Sequence, residues 1–371
     1  MSAALAELPP MGVAGRTARL RARFEPEHVD ALLVTRLPNV RYLTGFTGSA
    51  GILLVGPDDM VFVTDGRYAE QATDQLGAAD VPARIEVRAS QSGQRDVMRD
   101  AAAAYLRLGL EAHGVTWAQQ RAFAAEWFVG AELVATEHLV EDLRRVKEPA
   151  EVARIQAACA IADEALGVVA PRLAQGPTER DVALWLELEM RDRGATGTSF
   201  DTIVASGPNG AKPHARPSGR AIEAGEPVVI DFGCVVDGYC SDMTRTLSFG
   251  DPGPDARRMF DVVRNAQQSG REAVKARADC AQVDKACRDV IEAAGWGDAF
   301  VHGTGHGVGL EIHEAPRVAA TARDTLASGY VVTVEPGVYL PGTGGVRIED
   351  TVVVTDDGAE VLTRFAKDFL L

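Results

Sequence analysis

Residues 228–246 read VVIDFGCVVDGYCSDMTRT, and this stretch governs how the second half of the chain folds. An apolar run over 228–230 meets Asp231 where a buried strand would continue with another apolar side chain. Asp237-Gly238 follows, a pair suited to the two-residue turn of an antiparallel hairpin because both residues tolerate positive φ. With those two in the loop, Asp231 faces Thr244 across the hairpin, and Asp242 lies two positions from Thr244 on the same face. Two carboxylates then share one small space. Like charges that close push one pKa up unless a cation lies between them, so the arrangement asks for a metal ion. Alone, such a pair more often flanks the turn of a solvated hairpin; residues elsewhere in the chain remove that reading.

The chain has 371 residues, which makes two domains the default expectation. Hydrophobic residues at 46% and charged residues at 25% describe a globular chain with a substantial core. A net charge of -15 argues against nucleic acid or an anionic membrane surface as the main partner, since both call for clustered Lys and Arg. The five cysteines, Cys159, Cys234, Cys240, Cys280 and Cys287, include no C-x-x-C pair, and an odd count without a framework suggests reduced thiols in a cytoplasm. The first residues hold no apolar core with a small-residue cleavage site, and no later run reaches the roughly 18 apolar residues of a membrane span. A soluble cytoplasmic protein is the expectation.

Along the chain, a short basic helix over 16–24 and a buried strand over 31–35 precede a loop-rich stretch at 37–49. Strands at 52–55, 61–64, 84–87, 108–111 and 133–135 alternate with helices at 68–75, 95–106 and 117–127. This spacing indicates an α/β domain over residues 1–145. It contains neither G-x-x-x-x-G-K nor G-x-G-x-x-G, and no catalytic constellation. A charged stretch ending at Pro149 marks the boundary, with a second domain over 146–371. There, helices at 151–173 and 179–193 lead to a strand at 200–205, a polar loop at 206–218 holding His214, and the hairpin strands 228–232 and 244–249. Helices at 256–276 and 282–293 then lead to strands at 331–335, 338–340 and 346–354. Helices leading to a hairpin, twice over, suggest two similar α+β halves.

Three further segments supply what the aspartates lack. HGTGHGVGLEIHE at 302–314 sets His302, His306 and His313 among glycines, where the backbone can approach an ion or a substrate closely. Glu335 ends the apolar run VVTV, and Glu349 ends GGVRIE; the glycines at 342–345 let the two glutamates meet as the two aspartates do. Two Asp, two Glu and one His can hold two divalent ions with a water between them, a hydrolytic arrangement. Hard oxygen ligands with a single imidazole favour Mn²⁺ or Co²⁺, while the affinity order alone would admit Zn²⁺.

The segments D-F-G at Asp231, S-D-M-T-R-T at Asp242, G-H-G-x-G-L-x-x-H-E at His306 and His313, E-P-G at Glu335 and R-I-E-D at Glu349 resemble those of the pita-bread metallopeptidases. That group holds methionine aminopeptidase, aminopeptidase P and prolidase. ASGPNGAKPHARP around His214 is similar too, and VRYLTGFTGSAG with VTDGRYAEQ resembles the N-terminal domain of the proline-specific branch. The resemblance implies a creatinase/prolidase-like α/β domain followed by an α+β pita-bread catalytic domain. It implies Asp231, Asp242, His306, Glu335 and Glu349 as ligands of a dinuclear centre, with Mn²⁺ expected. It assigns His214 and His313 to the substrate carbonyl and the tetrahedral intermediate, and His302 to the substrate pocket. Arg317 would bind a substrate carboxylate, Tyr339 would line the pocket, and Arg347 would lie near the metals. It also implies a homodimer.

The implied reaction is metal-dependent hydrolysis of the Xaa-Pro bond, with Glu335 carrying the proton and His214 and His313 donating to the developing oxyanion. A proline after the bond gives a tertiary amide with no N–H. Arg317 points to dipeptides, hence an Xaa-Pro dipeptidase; an Xaa-Pro aminopeptidase acting on longer peptides is the alternative. A creatinase-like amidinohydrolase and a non-catalytic binding module on the same fold are weaker readings, because their relatives lose metal ligands that are all present here.

Overall fold

Short apolar runs build a mixed sheet from β1 (Ala31–Val34), β2 (Ile52–Val55), β3 (Met60–Thr64), β4 (Arg84–Val87), β5 (Arg107–Glu111) and β6 (Glu132–Thr136), in the order β4-β3-β2-β1-β5-β6. β1 pairs antiparallel with β2 and parallel with β5. Every residue of β1 and β3 is buried, as in strands covered on both faces. The helices are α1 (Arg16–Arg21), α2 (Leu37–Thr44), α3 (Ala69–Ala78), α4 (Gln91–Ala102) and α5 (Trp117–Ala122). Met98 of α4 joins Leu33, Leu54, Val61, Val63, Phe123 and Trp127 in one core. After α5 the backbone widens into a π-turn, Phe123–Trp127, closed by the Phe128 N–H on the Phe123 carbonyl at 2.8 Å.

The computed structural model describes residue 5 and residues 8–371. By internal contacts the chain divides into Pro10–Arg144 and a second unit, Arg145–Leu371, which takes in the described part of Met1–Pro9. One expectation fails in the first unit: residues 37–49 are not simply loop. Extended backbone at Arg36 precedes α2, Pro38 stands in its first turn, and Gly45 ends it at φ 76. The deciding contact is long-range, since buried Asn39 donates from Nδ2 to Glu111 Oε1 at 2.7 Å. α4 also begins earlier than its apolar period suggests, because Ser90 caps it.

Around the boundary lie α6 (Glu141–Arg145) and α7 (Pro149–Val169). The latter has Pro149 in its first turn and a reciprocal cap between Glu148 and Glu151. α8 (Glu179–Asp192) follows, capped by Thr178 and Asp181 in the same way. Both helices share a core with β8 (Ile203–Ser206), β9 (Val228–Phe232) and β12 (Met243–Leu247), a sheet ordered β12-β9-β8; Ile161, Leu166, Leu186, Val204, Ile230 and Phe232 meet there. β7 (Gly197–Thr198), β10 (Cys234–Val236) and β11 (Tyr239–Cys240) extend the hairpin.

The pattern then repeats. α9 (Gly253–Ala273) and α10 (Cys280–Ala293) pack on β13 (Gly305–Gly307), β14 (Glu314–Val318), β15 (Val331–Val334), β18 (Asp350–Val354) and β19 (Ala359–Val361), with Val263, Val283, Ile291, Val332, Val334 and Val352 in a second core. The strand expected at 346–354 is broken in two, because β17 (Gly344–Arg347) pairs with β16 (Gly337–Leu340) while β18 pairs with β15. Ile348 and Glu349 make the crossing. Among the described residues no helix is long and apolar enough to cross a membrane, and all five cysteines are buried.

Candidate active site

The hairpin turns where the sequence indicates: Asp237 and Gly238 have φ 43 and 77, and Val236 pairs with Tyr239. That register sets Thr244 opposite Asp231. Val334 pairs with Asp350, so Glu335 and Glu349 stand just beyond the paired ends of β15 and β18. β12 joins the two acidic pairs. Its Thr244 carbonyl accepts from the Glu349 N–H at 3.1 Å, and Thr351 Oγ1 donates to the Asp242 carbonyl at 2.7 Å. His306 sits at the centre of β13, between β14 and β15. A Cβ on Gly305 would lie 2.1 Å from the Thr333 carbonyl oxygen, and one on Gly307 2.4 Å from that of Ala315. Only glycine on both sides lets the strand press in far enough to deliver the imidazole.

The His306 Nδ1–H donates to the Gly307 carbonyl at 3.0 Å, which leaves Nε2 a bare lone pair. That nitrogen lies 3.5 Å from both Asp242 Oδ2 and Glu335 Oε1. Donor atoms of Asp242, His306 and Glu349 all fall within 4.8 Å of one another. One oxygen of each remaining carboxylate is tied back by the protein. Arg347 Nη2 donates to Asp231 Oδ2 at 2.6 Å, Thr244 Oγ1 to Glu349 Oε2 at 2.7 Å, and Thr333 Oγ1 to Glu335 Oε1 at 3.3 Å. Asp231 Oδ1 and Glu349 Oε1 are buried with no hydrogen-bond partner.

Burial pushes the Glu335 carboxyl up to about 8 against the opposing pull of Arg347. Asp242 and Glu349 are driven well above the usual carboxylate range, first by burial and then by the neighbouring carboxylates. Burial lowers His306 to about 4, so its ring is neutral at pH 7. A crowded set of carboxylates, a lone pair aimed at two of them and two bare buried oxygens is unstable without added positive charge. Divalent cations fit this donor set.

The other residues singled out from the sequence take three kinds of position. Tyr339 is buried, and its hydroxyl accepts from Arg347 Nη1 at 2.8 Å while lying 2.8 Å from His302 Nε2. His302 Nδ1 donates to the Gly303 carbonyl at 2.7 Å, so Nε2 accepts from the tyrosine. Both of its nitrogens are therefore engaged, and burial lowers it to about 4. Arg347 is buried and also reaches Thr244 Oγ1 and the Pro213 carbonyl. His313 is exposed, its ring 4.4 Å from that of His306, and burial of its inner part lowers its pKa, with Asp231 opposing and His214 adding to the shift. His214 is exposed on its loop. Arg317 is exposed on β14, paired in register with His306. Thr244 and Thr333 were not singled out from the sequence, although alternation already places Thr244 between Asp242 and Asp231 on one face.

A profile of metallopeptidase family M24 matches residues 153–356, and one of the creatinase/prolidase N-terminal domain matches residues 16–146. The chain belongs to metallopeptidase family M24. This M24 member is 40% identical to the peptidase YqhT of Bacillus subtilis (strain 168), over 95% of this chain and 99% of that protein. An Xaa-Pro dipeptidase from Bacillus anthracis superposes with a TM-score of 0.91 at 39% identity, covering 97% of this chain and all of the other. An X-Pro aminopeptidase from Thermotoga maritima MSB8 superposes at 0.85 and 33% identity, covering 96% of this chain and 100% of the other. The fold is thus that of the pita-bread prolidases, and membership of a metallopeptidase family implies divalent metal ions at the acidic centre.

Proposed function

We propose that this peptidase hydrolyses the Xaa-Pro bond of dipeptides. The observation that carries the reading is the pair of bare, buried oxygens, Asp231 Oδ1 and Glu349 Oε1, beside the His306 lone pair in a chain similar to an Xaa-Pro dipeptidase along 97% of its length. Asp231, Asp242, His306, Glu335 and Glu349 would hold two divalent ions, with Mn²⁺ expected and Co²⁺ or Zn²⁺ as alternatives. When bound, such ions polarise a carbonyl and acidify a water. Glu335, half-buried beside His306, carries the proton from the attacking water to the leaving nitrogen. His313 and His214, both exposed, donate to the oxygen that gains charge. Tyr339 and His302 brace Arg347, which holds Asp231 in place. The exposed guanidinium of Arg317, on the strand that carries His306's register partner, receives the free carboxylate of a dipeptide.

Metal analysis of purified protein, combined with turnover of Xaa-Pro dipeptides before and after chelation and Mn²⁺ return, tests this. Absence of metal dependence would sink it. The likeness to an X-Pro aminopeptidase supports a second reading, in which longer peptides are preferred. A parent enzyme that turns over Xaa-Pro-Xaa faster than Xaa-Pro would shift the assignment there. A cytoplasmic homodimer is the accompanying expectation; sedimentation giving only a 39.4 kDa monomer at micromolar concentration would end the dimer.

A further inference from the structure

Glu179 opens α8 with its side chain wholly buried, and its carboxylate is held by neutral donors from the two ends of one loop. Oε1 accepts from the Ser206 N–H at 2.8 Å and its hydroxyl at 2.9 Å. Oε2 accepts from the Ser218 N–H at 2.9 Å and its hydroxyl at 2.6 Å. Asn209 Nδ2 spans both oxygens at 3.1 and 3.2 Å. Burial alone would raise this carboxyl; the converging donors outweigh it and hold Glu179 below its ordinary range. Two backbone contacts back the clamp, from the Glu179 N–H to the Arg220 carbonyl and from the Arg180 N–H to the Ser218 carbonyl, both at 3.1 Å. Between the anchors the chain carries the Pro213 carbonyl, which accepts from Arg347 Nη1 at 3.2 Å, and then His214, whose charge bears on both His302 and His313.

A loop fixed only by its own turns would leave His214 free to wander over several ångströms. A buried acceptor with two oxygens, each taking a backbone N–H and a hydroxyl from opposite ends of that loop, removes this freedom before substrate arrives. We propose that Glu179 is a positioning residue that clamps residues 206–218 and so sets the place of His214 at the acidic centre. The inference rests on the reading of His214 as a substrate contact. No neutral replacement can do the same. A glutamine offers one acceptor oxygen, and its NH₂ must face the N–H of either Ser206 or Ser218, leaving that donor buried and opposed.

Four proteins test it: the parent, H214A, E179Q and the double variant E179Q/H214A, each assayed on an Xaa-Pro dipeptide. E179Q should lower kcat by about tenfold to about a hundredfold with metal content unchanged. If Glu179 acts through His214, the double variant should be no slower than H214A alone. Losses that multiply in the double variant would overturn the proposal, as would an E179Q enzyme with parent kcat. S218A, which deletes a single hydroxyl donor, should show a smaller loss with the same non-additivity, and serves should E179Q not fold. Hydrogen exchange supplies a readout that does not depend on turnover: amides across 206–218 should exchange at least about tenfold faster in E179Q or S218A than in the parent. Unchanged exchange there overturns the clamp itself. Faster exchange with H214A at parent activity preserves the clamp and instead removes His214 from the proposed mechanism.

Discussion

Arg347 Nη2 stands 2.6 Å from Asp231 Oδ2, and the other Asp231 oxygen is buried and bare. One guanidinium thus satisfies half of a carboxylate and orients the remaining half toward the centre. The same side chain reaches Thr244, Tyr339 and the Pro213 carbonyl, a forked set of contacts that a point charge cannot reproduce. Arg347→Met, close in volume and neutral, should therefore strand Asp231 and lower the stability of the metal-free protein by about 3–5 kcal/mol. Urea denaturation of both proteins after chelation checks this; a change below about 1 kcal/mol would mean that Asp231 has another partner.

Asp242→Asn keeps the side-chain volume and removes the charge. The carboxylate lies 3.5 Å from His306 Nε2 and within 4.8 Å of Glu349, so its loss should empty part of the centre. Turnover of Xaa-Pro substrates should vanish while circular dichroism stays that of the parent. Parent metal content together with parent turnover would remove Asp242 from the ligand set.

The pH dependence of stability should differ between the metal-free and the metal-bound protein. In the metal-free chain Glu335 moves from an ordinary 4.5 to about 8, so between these values the folded state holds a proton that the unfolded state releases, and stability falls as pH rises. His302 and His306, lowered from 6.5 to about 4, act oppositely but only below about pH 6.5, where protonation of the unfolded state draws the equilibrium toward it. From pH 6.5 to 8 these two histidines no longer oppose Glu335, and Asp242 and Glu349 act in the same direction as it does. Thermal melts of chelated protein should drop across that window, and Mn²⁺ should abolish the drop. A melt that rises with pH after chelation contradicts the crowding of carboxylates.

Arg317 is a specificity residue in the proposed reaction. Its exposed side chain can fork onto the free carboxylate of a dipeptide, a contact that a longer peptide makes elsewhere or not at all. Arg317→Ala should lower kcat/KM for Xaa-Pro by roughly ten- to a hundredfold and barely alter Xaa-Pro-Xaa. Equal losses on both substrates would give Arg317 a structural role instead.

The hairpin register was legible because Asp237-Gly238 permits one tight turn and strand side chains alternate with period two; Asp231 opposite Thr244 follows from counting. The meeting of Glu335 and Glu349 was legible in the same way, from a strand pair closed through glycines. The helix at Leu37–Thr44 was not, because its decisive partner, Glu111, lies in a strand far along the chain.

Local pattern by itself determined the alternation of elements, the two acidic pairs and the glycine-flanked His306. Each depends on dihedral preferences and periodicities that a few neighbouring residues set. Only the tertiary structure decided that the two acidic pairs share one centre, that Tyr339 faces Arg347 rather than solvent, and that Thr244 and Glu179 support the site. These outcomes depend on contacts such as Thr244 with Glu349, made between strands from different halves of the unit. A side chain's bare oxygen points where the far partner leaves it room and charge, and neither is written in the residues beside it.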